Sequence, residues 1–348
     1  RPYTDNTLRD PIRGYVRTAM NTIPTTFNDE PPPYTVLGGQ EILERTGVSV
    51  VLLQRGGRYI RRLLFQELQE AGFEQVVLLE NSRSSPELEE LLHRFPFVRC
   101  ILPQRELTLG EQINLAAREV KTPLFFVLWS DVHFSQHGGA LRIAERWAHH
   151  YLVPRGEGEA GQGPLCLVPL VQNNRYEIIP TVMAPTFYKG RIHTIPVVPK
   201  KEGVPSLFPF DGIGVYNRDA FVSLGGYDGT IQNPYWQLMD FGFRAHLWGE
   251  RILATQTIRI HYDQDPPTVH TTAQDSYLRF YLKNIAPQFR SDHAHLPYSR
   301  LFEFLVKSGK SLREGWELFR EVRRWVSQYR YRFTMDARLL IKSWEEGV

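Results

Sequence analysis

The amino-acid sequence predicts an α/β protein built on a mostly parallel sheet flanked by helices. Two observations predict this fold class. An apolar, β-branched run at 48–53 has the length and composition of a buried strand. It is followed by apolar residues at helical spacing, namely Ile60, Leu63, Leu64 and Leu68. Because this alternation repeats along the chain, we expect a parallel sheet that binds ligands beyond the carboxyl ends of its strands.

The remaining elements follow the same logic in chain order. Strands are predicted at 75–79, 98–102, 124–128, 165–171 and 259–262, and helices at 86–93, 110–120 and 140–151. Residues 1–45 are polar, include a run of three prolines, and predict an extended N-terminal arm. Residues 46–275 are predicted to form the α/β domain, and 276–348 a helical C-terminal extension. The proline-rich segment 175–209 predicts long loops or a small hairpin.

Composition limits the function classes. A chain of 348 residues with 42% hydrophobic residues can bury a large core, and its formal net charge of +3 is too small to indicate a nucleic-acid partner. Cys100 and Cys166 lie in apolar strand-like runs and form no metal-binding pair, which favours a reduced, cytoplasmic setting. The sequence shows neither 18 consecutive apolar residues nor a signal-peptide pattern.

Three motifs carry the functional prediction. They are LFFVLWSDVH at 124–133, GGYD at 225–228 and MDFGFR at 239–244. In this order and spacing they resemble family 2 glycosyltransferases of the GT-A fold, a Rossmann-like architecture, over roughly residues 48–285. Residues 118–132 are similar to the stretch that runs into the family's acidic metal motif. Residues 218–252 are similar to the segment that contains the acceptor-side helix.

The resemblance implies inverting transfer of a hexose-type sugar from a nucleotide donor, UDP-linked, to a glycan or lipid-linked acceptor. It also implies Mn²⁺ or Mg²⁺, which neutralises the leaving diphosphate. The family's metal motif is DxD, whereas this chain has Trp129, Ser130 and Asp131 and keeps one carboxylate. Asp131, His133 and His261 are the implied metal ligands. Their structural alternatives are a turn cap, a solvated turn histidine and a buried histidine, respectively.

The implied donor-binding residues lie at the ends of the first two strands. Glu80 stands where the resemblance implies a carboxylate that accepts from the uracil N–H, with Asn81 beside it. Gln54 ends the first strand, and Arg55 or Arg58 is positioned to meet phosphate. The alternatives are an exposed acidic residue at Glu80 and an ordinary turn after Gln54.

The implied acceptor side lies in the second and third motifs. The positions of the family's acidic pair hold Gln237 and Leu238, which leaves Asp240 as the candidate general base. Its alternative role is a buried carboxylate that fixes Arg244 four residues on. Asp228 is expected to shape the acceptor loop, and Trp236 to stack on a sugar or pack in the core.

Two other function classes stay open. The missing carboxylates favour a transferase-like protein that has lost catalysis and acts as a binding or scaffolding module. A sugar-phosphate nucleotidyltransferase shares the nucleotide-binding layout, but the turn at 54–58 is short for its phosphate loop. The helical stripe within 311–344 carries arginines, so it is a candidate for peripheral membrane contact or for docking onto its own domain.

Overall fold

The computed structural model describes residues 30–39, 47–55, 62–73, 75–80, 86–135, 147–148, 151–152, 163–188, 191–263, 266, 271 and 274–347. The strands of the main sheet are β1 (Tyr34–Gly38), β2 (Val48–Leu53), β3 (Val76–Leu79), β4 (Val98–Pro103), β5 (Leu124–Trp129), β6 (Val132–Phe134), β7 (Cys166–Gln172), β10 (Gly214–Asn217) and β11 (Ile252–Tyr262). Two hairpins are formed by β8 (Val182–Tyr188) with β9 (Arg191–Val197) and by β12 (Gln288–Arg290) with β13 (His293–His295).

The helices are α1 (Arg62–Glu70), α2 (Pro86–Arg94), α3 (Leu109–Glu119), α4 (Arg218–Leu224), α5 (Pro234–Leu247), α6 (Gln274–Phe280), α7 (Ser299–Ser308), α8 (Leu312–Tyr329) and α9 (Ala337–Gly347). A π-helical turn, Tyr281–Ile285, extends α6. Helix α3 begins at a capping box, in which Thr108 and Glu111 satisfy each other's backbone N–H groups.

The main sheet has the strand order β1-β4-β3-β2-β5-β10-β7-β11-β6. Strand β2 runs parallel to β3 and β5, β3 to β4, and β7 to β11. The order β4-β3-β2-β5 is the 3-2-1-4 order of a nucleotide-binding sheet. Strand β10 lies antiparallel between β5 and β7, and its first residue, Gly214, pairs with Val127 near the carboxyl end of β5. The predicted mostly parallel sheet flanked by helices is confirmed.

The central strands are buried along their whole length, since every residue of β2, β3 and β5 is buried. This burial explains why they are continuous apolar runs rather than alternating ones. Helix α1 buries Leu64 and Leu68 of the predicted stripe, together with Phe65. Leu63 of the same stripe is 70% exposed, and Ile60 lies outside the described residues. Cys100 and Cys166 are both free thiols in the core.

The structure adds three details to the predicted organisation. Within the predicted arm, 34–38 form edge strand β1, which pairs with β4; residues 1–29 and 40–46 lie outside the described residues. The segment 175–209 contains the expected hairpin, β8–β9. Strand β11 starts at Ile252, earlier than predicted. Most of the predicted helix at 140–151 lies outside the described residues.

The C-terminal helices pack onto the α/β domain. Phe319, Val322 and Val326 of the predicted stripe are buried in a cluster with Leu282 and Phe304 of the same extension. Beside the stripe, Trp325 stacks on Trp248 of the α/β domain with 5.9 Å between ring centroids, while Leu312 is 76% exposed. Among the described residues, helices long and apolar enough to span a bilayer are absent.

Candidate active site

The carboxyl ends of β2, β5 and β11 meet the start of β10 at one edge of the sheet. Arg55 follows β2, Asp131 follows β5, Tyr262 ends β11 and Asp211 precedes β10. Ligands of open α/β sheets bind at this edge. These four side chains are therefore the centre of the candidate site.

Asp211 is held in place by three contacts. Its Oδ2 accepts from the Arg55 guanidinium and from the Tyr262 hydroxyl, the latter at 2.7 Å. Its carbonyl oxygen accepts from Trp129 Nε1 at 3.0 Å. The residue has φ of 55°, a left-handed conformation that is uncommon outside glycine and clusters at functional sites. The backbone there is thus shaped to present this carboxylate.

The electrostatics of Asp211 suit a proton acceptor. Burial raises the pKa of this carboxyl above its ordinary value, with Asp131 adding to the rise, while Arg55 and Tyr262 oppose it. Burial and the Asp211 charge raise the pKa of Tyr262, so its phenol stays a donor. A carboxylate with a raised pKa is a better base near neutral pH.

Arg55 lies between two carboxylates and an aromatic ring. Its guanidinium carbon is 4.2 Å from the centroid of the Trp129 ring, and its Nε is 3.9 Å from Asp131 Oδ2. Such stacking restricts the guanidinium to one plane. Trp129, which stands where the resemblance implies the first carboxylate of a metal motif, therefore orients the Arg55 guanidinium.

A cavity of about 840 Å³ opens beside this cluster. Arg55, Trp129 and Asp211 line one side, and the first turn of α3 lines another. The opposite wall comes from hairpin β8–β9 and from helix α5. A volume of this size holds a ligand of two or three rings.

The described residues do not fit a metal ion well. Asp131 Oδ1 is buried without a hydrogen-bond partner in the described part of the chain, which leaves one carboxylate oxygen for a ligand. His133 and His261 lie opposite each other on β6 and β11, but His133 Nε2 is 2.9 Å from Asp263 Oδ1. Within the described ranges, there is no cluster of three or more His, Cys, Asp or Glu able to hold a metal. We therefore derive no catalytic step through a metal.

The implied donor residues lie at adjacent strand ends. Gln54 and Glu80 follow the parallel neighbours β2 and β3, and both are buried, with 8% and 6% exposure. The exposed-loop alternative for Glu80 does not match this burial. Asn81 and Arg58 lie outside the described residues.

Asp240 does not line the cavity but lies inside a buried charge network. The side chain is 0% exposed; its Oδ2 accepts from Arg244 at 3.1 Å and Lys283 at 3.0 Å, and its Oδ1 from Asn284 at 2.8 Å. A general base needs an oxygen within reach of the acceptor hydroxyl. This geometry favours the alternative that sequence left open, a structural carboxylate that fixes Arg244.

Asp228 belongs to the same network. Its Oδ2 accepts from Lys283 at 2.7 Å and Arg279 at 3.2 Å, and its Oδ1 accepts from Thr230. Although burial opposes ionisation, the Lys283 and Arg279 charges hold the pKa of Asp228 below its usual value. These contacts tie the GGYD loop to α6 and to the turn after it, in agreement with the expected role of Asp228 in shaping that loop.

The neighbouring candidates on α5 divide between core and cavity. Gln237 is fully buried and accepts from Gly110 N at 2.8 Å, which ties α5 to the start of α3. Leu238, at the second position of the family's acidic pair, lines the cavity. Trp236 packs among Tyr235, Tyr277 and Phe280, so core packing rather than sugar stacking describes it.

Sequence reasoning missed Asp211 and Tyr262. The signal for Asp211 is the Asp-Gly pair at 211–212, in which both residues have positive φ directly before a strand. Asp-Gly is an ordinary turn signal, so it does not by itself indicate a site. Only the insertion of antiparallel β10 beside β5 brings Asp211 to the edge where Arg55 lies.

Comparison with known proteins yields structural likeness only. Protein-family models give no match to this chain, and neither do the sequences of curated proteins. GalNAc-T7, solved with UDP, GalNAc and Mn²⁺, is similar at 14% identity and a TM-score of 0.49, over 78% of this chain and 56% of its own. TarS from S. aureus is similar at 11% identity and a TM-score of 0.45, over 79% of this chain and 42% of its own. Large parts of both proteins thus have no counterpart in this chain, and similarity at this level assigns no activity.

Proposed function

We propose that this protein is an inverting glycosyltransferase that moves a sugar from a UDP-linked donor to an acceptor hydroxyl. The observation that carries the proposal is the placement of Asp211. It lies at the carboxyl edge of a nucleotide-binding strand order, lines the cavity, and is fixed by Arg55 and Tyr262.

In the proposed reaction, Asp211 and Arg55 have separate tasks. Asp211 takes the proton of the acceptor hydroxyl as the oxygen attacks the anomeric carbon of the donor. Arg55 faces the diphosphate that leaves, since a stacked guanidinium suits phosphate oxygens. A single attack from the side opposite the leaving group inverts the anomeric centre. The acceptor enters along α5 and hairpin β8–β9, which form the far wall of the cavity.

The competing function is a transferase-like binding module without catalysis. Two observations favour it: Leu238 stands in the cavity wall where the resemblance implies an acid, and Asp240 is enclosed by cations. A module of this kind binds the nucleotide but does not catalyse sugar transfer. The nucleotidyltransferase alternative gains no support from the described residues. Its phosphate loop would lie in the turn at 54–58, of which the structure describes Gln54 and Arg55.

We expect the protein to bind UDP more tightly than GDP, and the Glu80→Gln variant to lose that preference. The amide carries no charge, so a hydrogen bond that its remaining oxygen accepts from the uracil N–H is no longer charge-assisted. Loss of one charge-assisted hydrogen bond corresponds to about 1.5–3 kcal/mol, or roughly 10- to 150-fold in affinity.

Calorimetry with UDP and with GDP measures the affinity of the protein for each nucleotide. Glu70→Gln, an exposed change at the end of α1, is the matched control. Equal affinities for the two nucleotides in the intact protein contradict the uridine assignment.

We expect Mn²⁺ alone to bind weakly, because Asp131 offers a single carboxylate and the Arg55 charge lies 3.9 Å away. A nucleoside diphosphate supplies further oxygen ligands, so Mn²⁺ and UDP are expected to strengthen each other's binding. Titration of Mn²⁺ with and without UDP measures the coupling. Identical UDP affinity in Mn²⁺ and in EDTA contradicts it and assigns the diphosphate contacts to arginine and lysine side chains.

A further inference from the structure

Gln112, in the first turn of α3, carries a buried hydrogen-bond acceptor to which no described residue donates. The residue is 6% exposed and lines the cavity together with Arg55 and Trp129. Its Oε1 is buried and has no hydrogen-bond partner in the described part of the chain. Because buried polar atoms of folded proteins are nearly always paired, an unpaired acceptor in a cavity wall suits a ligand that donates to it.

The side-chain amide of Gln112 is held in one orientation. Its Nε2 donates to the backbone carbonyl oxygen of Leu107 at 3.1 Å. A carbonyl oxygen cannot donate, so this contact requires the NH₂ group on that side of the amide and Oε1 on the other. The start of α3 is fixed as well, by the capping box at Thr108 and by the bond from Gly110 N to Gln237 of α5. An acceptor held in this way favours ligands that place a donor opposite it.

The parts of a nucleotide-sugar differ in whether they can donate to this oxygen. The ionised diphosphate only accepts hydrogen bonds, so it cannot pair with Oε1 of Gln112. Arg55 and Asp211, which the proposed reaction assigns to the diphosphate and to the acceptor proton, line the same cavity as Gln112. The proposed nucleotide contacts Glu80 and Gln54 are not among the described residues that line it. The transferred sugar lies between the diphosphate and the acceptor, and its hydroxyls are hydrogen-bond donors.

We propose that Gln112 is a specificity-determining residue, whose Oε1 accepts a hydrogen bond from one hydroxyl of the transferred sugar. The proposal rests on the transferase function above and assigns a residue of the same cavity to sugar recognition. Gln112 takes no part in bond making or breaking, so it acts on which sugar binds. A sugar that lacks this hydroxyl leaves Oε1 buried and unpaired, and it therefore binds more weakly.

The test is a set of calorimetric titrations with UDP, with a UDP-hexose and with analogues of that UDP-hexose that lack the 2-, 3-, 4- or 6-hydroxyl. The UDP-hexose is UDP-glucose or UDP-galactose, whichever binds more tightly. In the intact protein we expect one analogue to bind about 3- to 10-fold more weakly than the parent, since it loses one hydrogen bond.

Gln112→Met keeps the length of the side chain and removes Oε1. In this variant we expect that analogue and the parent UDP-hexose to bind equally, while the affinity for UDP stays as in the intact protein. Gln112→Glu keeps an acceptor oxygen and is expected to retain the preference for the parent. Gln69→Met, which makes the same change at an exposed position on α1, is the matched control.

An equal loss of affinity for UDP and for the UDP-hexose in Gln112→Met overturns the proposal, because it shows that Gln112 acts only by holding the Leu107 carbonyl. A preference among the analogues that Gln112→Met leaves unchanged also overturns it, as does the absence of any preference in the intact protein. If Gln112→Met fails to fold, Gln112→Glu decides, and loss of the preference in that variant counts against the proposal. These results refute the role of Gln112 alone. Failure of the intact protein to bind both UDP and the UDP-hexose refutes the transferase function, and the proposal with it.

Discussion

Replacing Asp240 by Asn is expected to lower the free energy of unfolding by about 3–5 kcal/mol, because it removes an anion that two buried cations share. Arg244 and Lys283 are each 2% exposed in their side chains, and both contact Asp240. In the variant, Lys283 retains Asp228 as an anionic partner, and Arg244 retains the carbonyl oxygens of Leu224 and Gly226 together with the Trp248 ring. Urea unfolding followed by circular dichroism measures the change.

Two further variants separate a charge effect from a general effect of the substitution. Asp219→Asn makes the same isosteric change at an exposed position in the first turn of α4, and its expected cost is below about 1 kcal/mol. Lys283→Met removes the cation that bridges Asp240 and Asp228. Combined with Asp240→Asn, it is expected to cost less than the sum of the two single changes, because the residues interact directly. A cost for Asp240→Asn no larger than that for Asp219→Asn contradicts the structural role.

The sheet was predictable from sequence because its central strands are apolar apart from the buried Ser49 of β2. The amphipathic pattern that follows β2 then indicates a helix, which gives the strand–helix order of a parallel sheet. Edge strand β1 was harder to predict. Tyr34–Gly38 alternates between intermediate and exposed residues, and its pairing with β4 depends on a partner about 65 residues later in the chain.

The site was predictable only in part, because charge and burial depend on contacts that are remote in sequence. Asp131 and Glu80 follow strands, so their position at the sheet edge follows from the strand pattern alone. The role of Asp240 depends on Lys283 and Asn284, 43 and 44 residues away. Local spacing shows only Arg244, four residues on. The sequence around Asp240 therefore does not distinguish a catalytic carboxylate from a structural carboxylate that is enclosed by cations.

Replacing Asp211 by Asn is expected to lower turnover by about 10²- to 10⁴-fold, the usual contribution of a positioned general base. The amide has the same shape but accepts a proton far less readily, so the acceptor hydroxyl loses its proton acceptor. Donor affinity is expected to change much less, because the proposed donor residues Glu80 and Gln54 follow β3 and β2, whereas Asp211 precedes β10. Hydrolysis of the donor by water provides a turnover assay that needs no acceptor.

Tyr262→Phe is the partner variant, since it keeps the Asp211 carboxylate and removes one hydrogen bond to it. That hydrogen bond lowers the pKa of Asp211. Its loss is expected to raise this pKa, so the pH below which turnover falls moves upward, while turnover at high pH is largely retained. A structural role for Asp211 does not move the pH profile in this way.

Three outcomes distinguish the candidate functions. Loss of turnover in Asp211→Asn with normal stability, together with the shifted pH profile of Tyr262→Phe, supports Asp211 as the base. Loss of turnover in Asp240→Asn at unchanged stability, with Asp211→Asn active, assigns the general base to Asp240 on α5, as the sequence predicted. Nucleotide binding without any turnover in the intact protein favours the binding module. In that case the raised pKa of Asp211 reflects its burial and the nearby Asp131 charge, and the Arg55–Asp211–Tyr262 cluster stabilises the edge of the sheet.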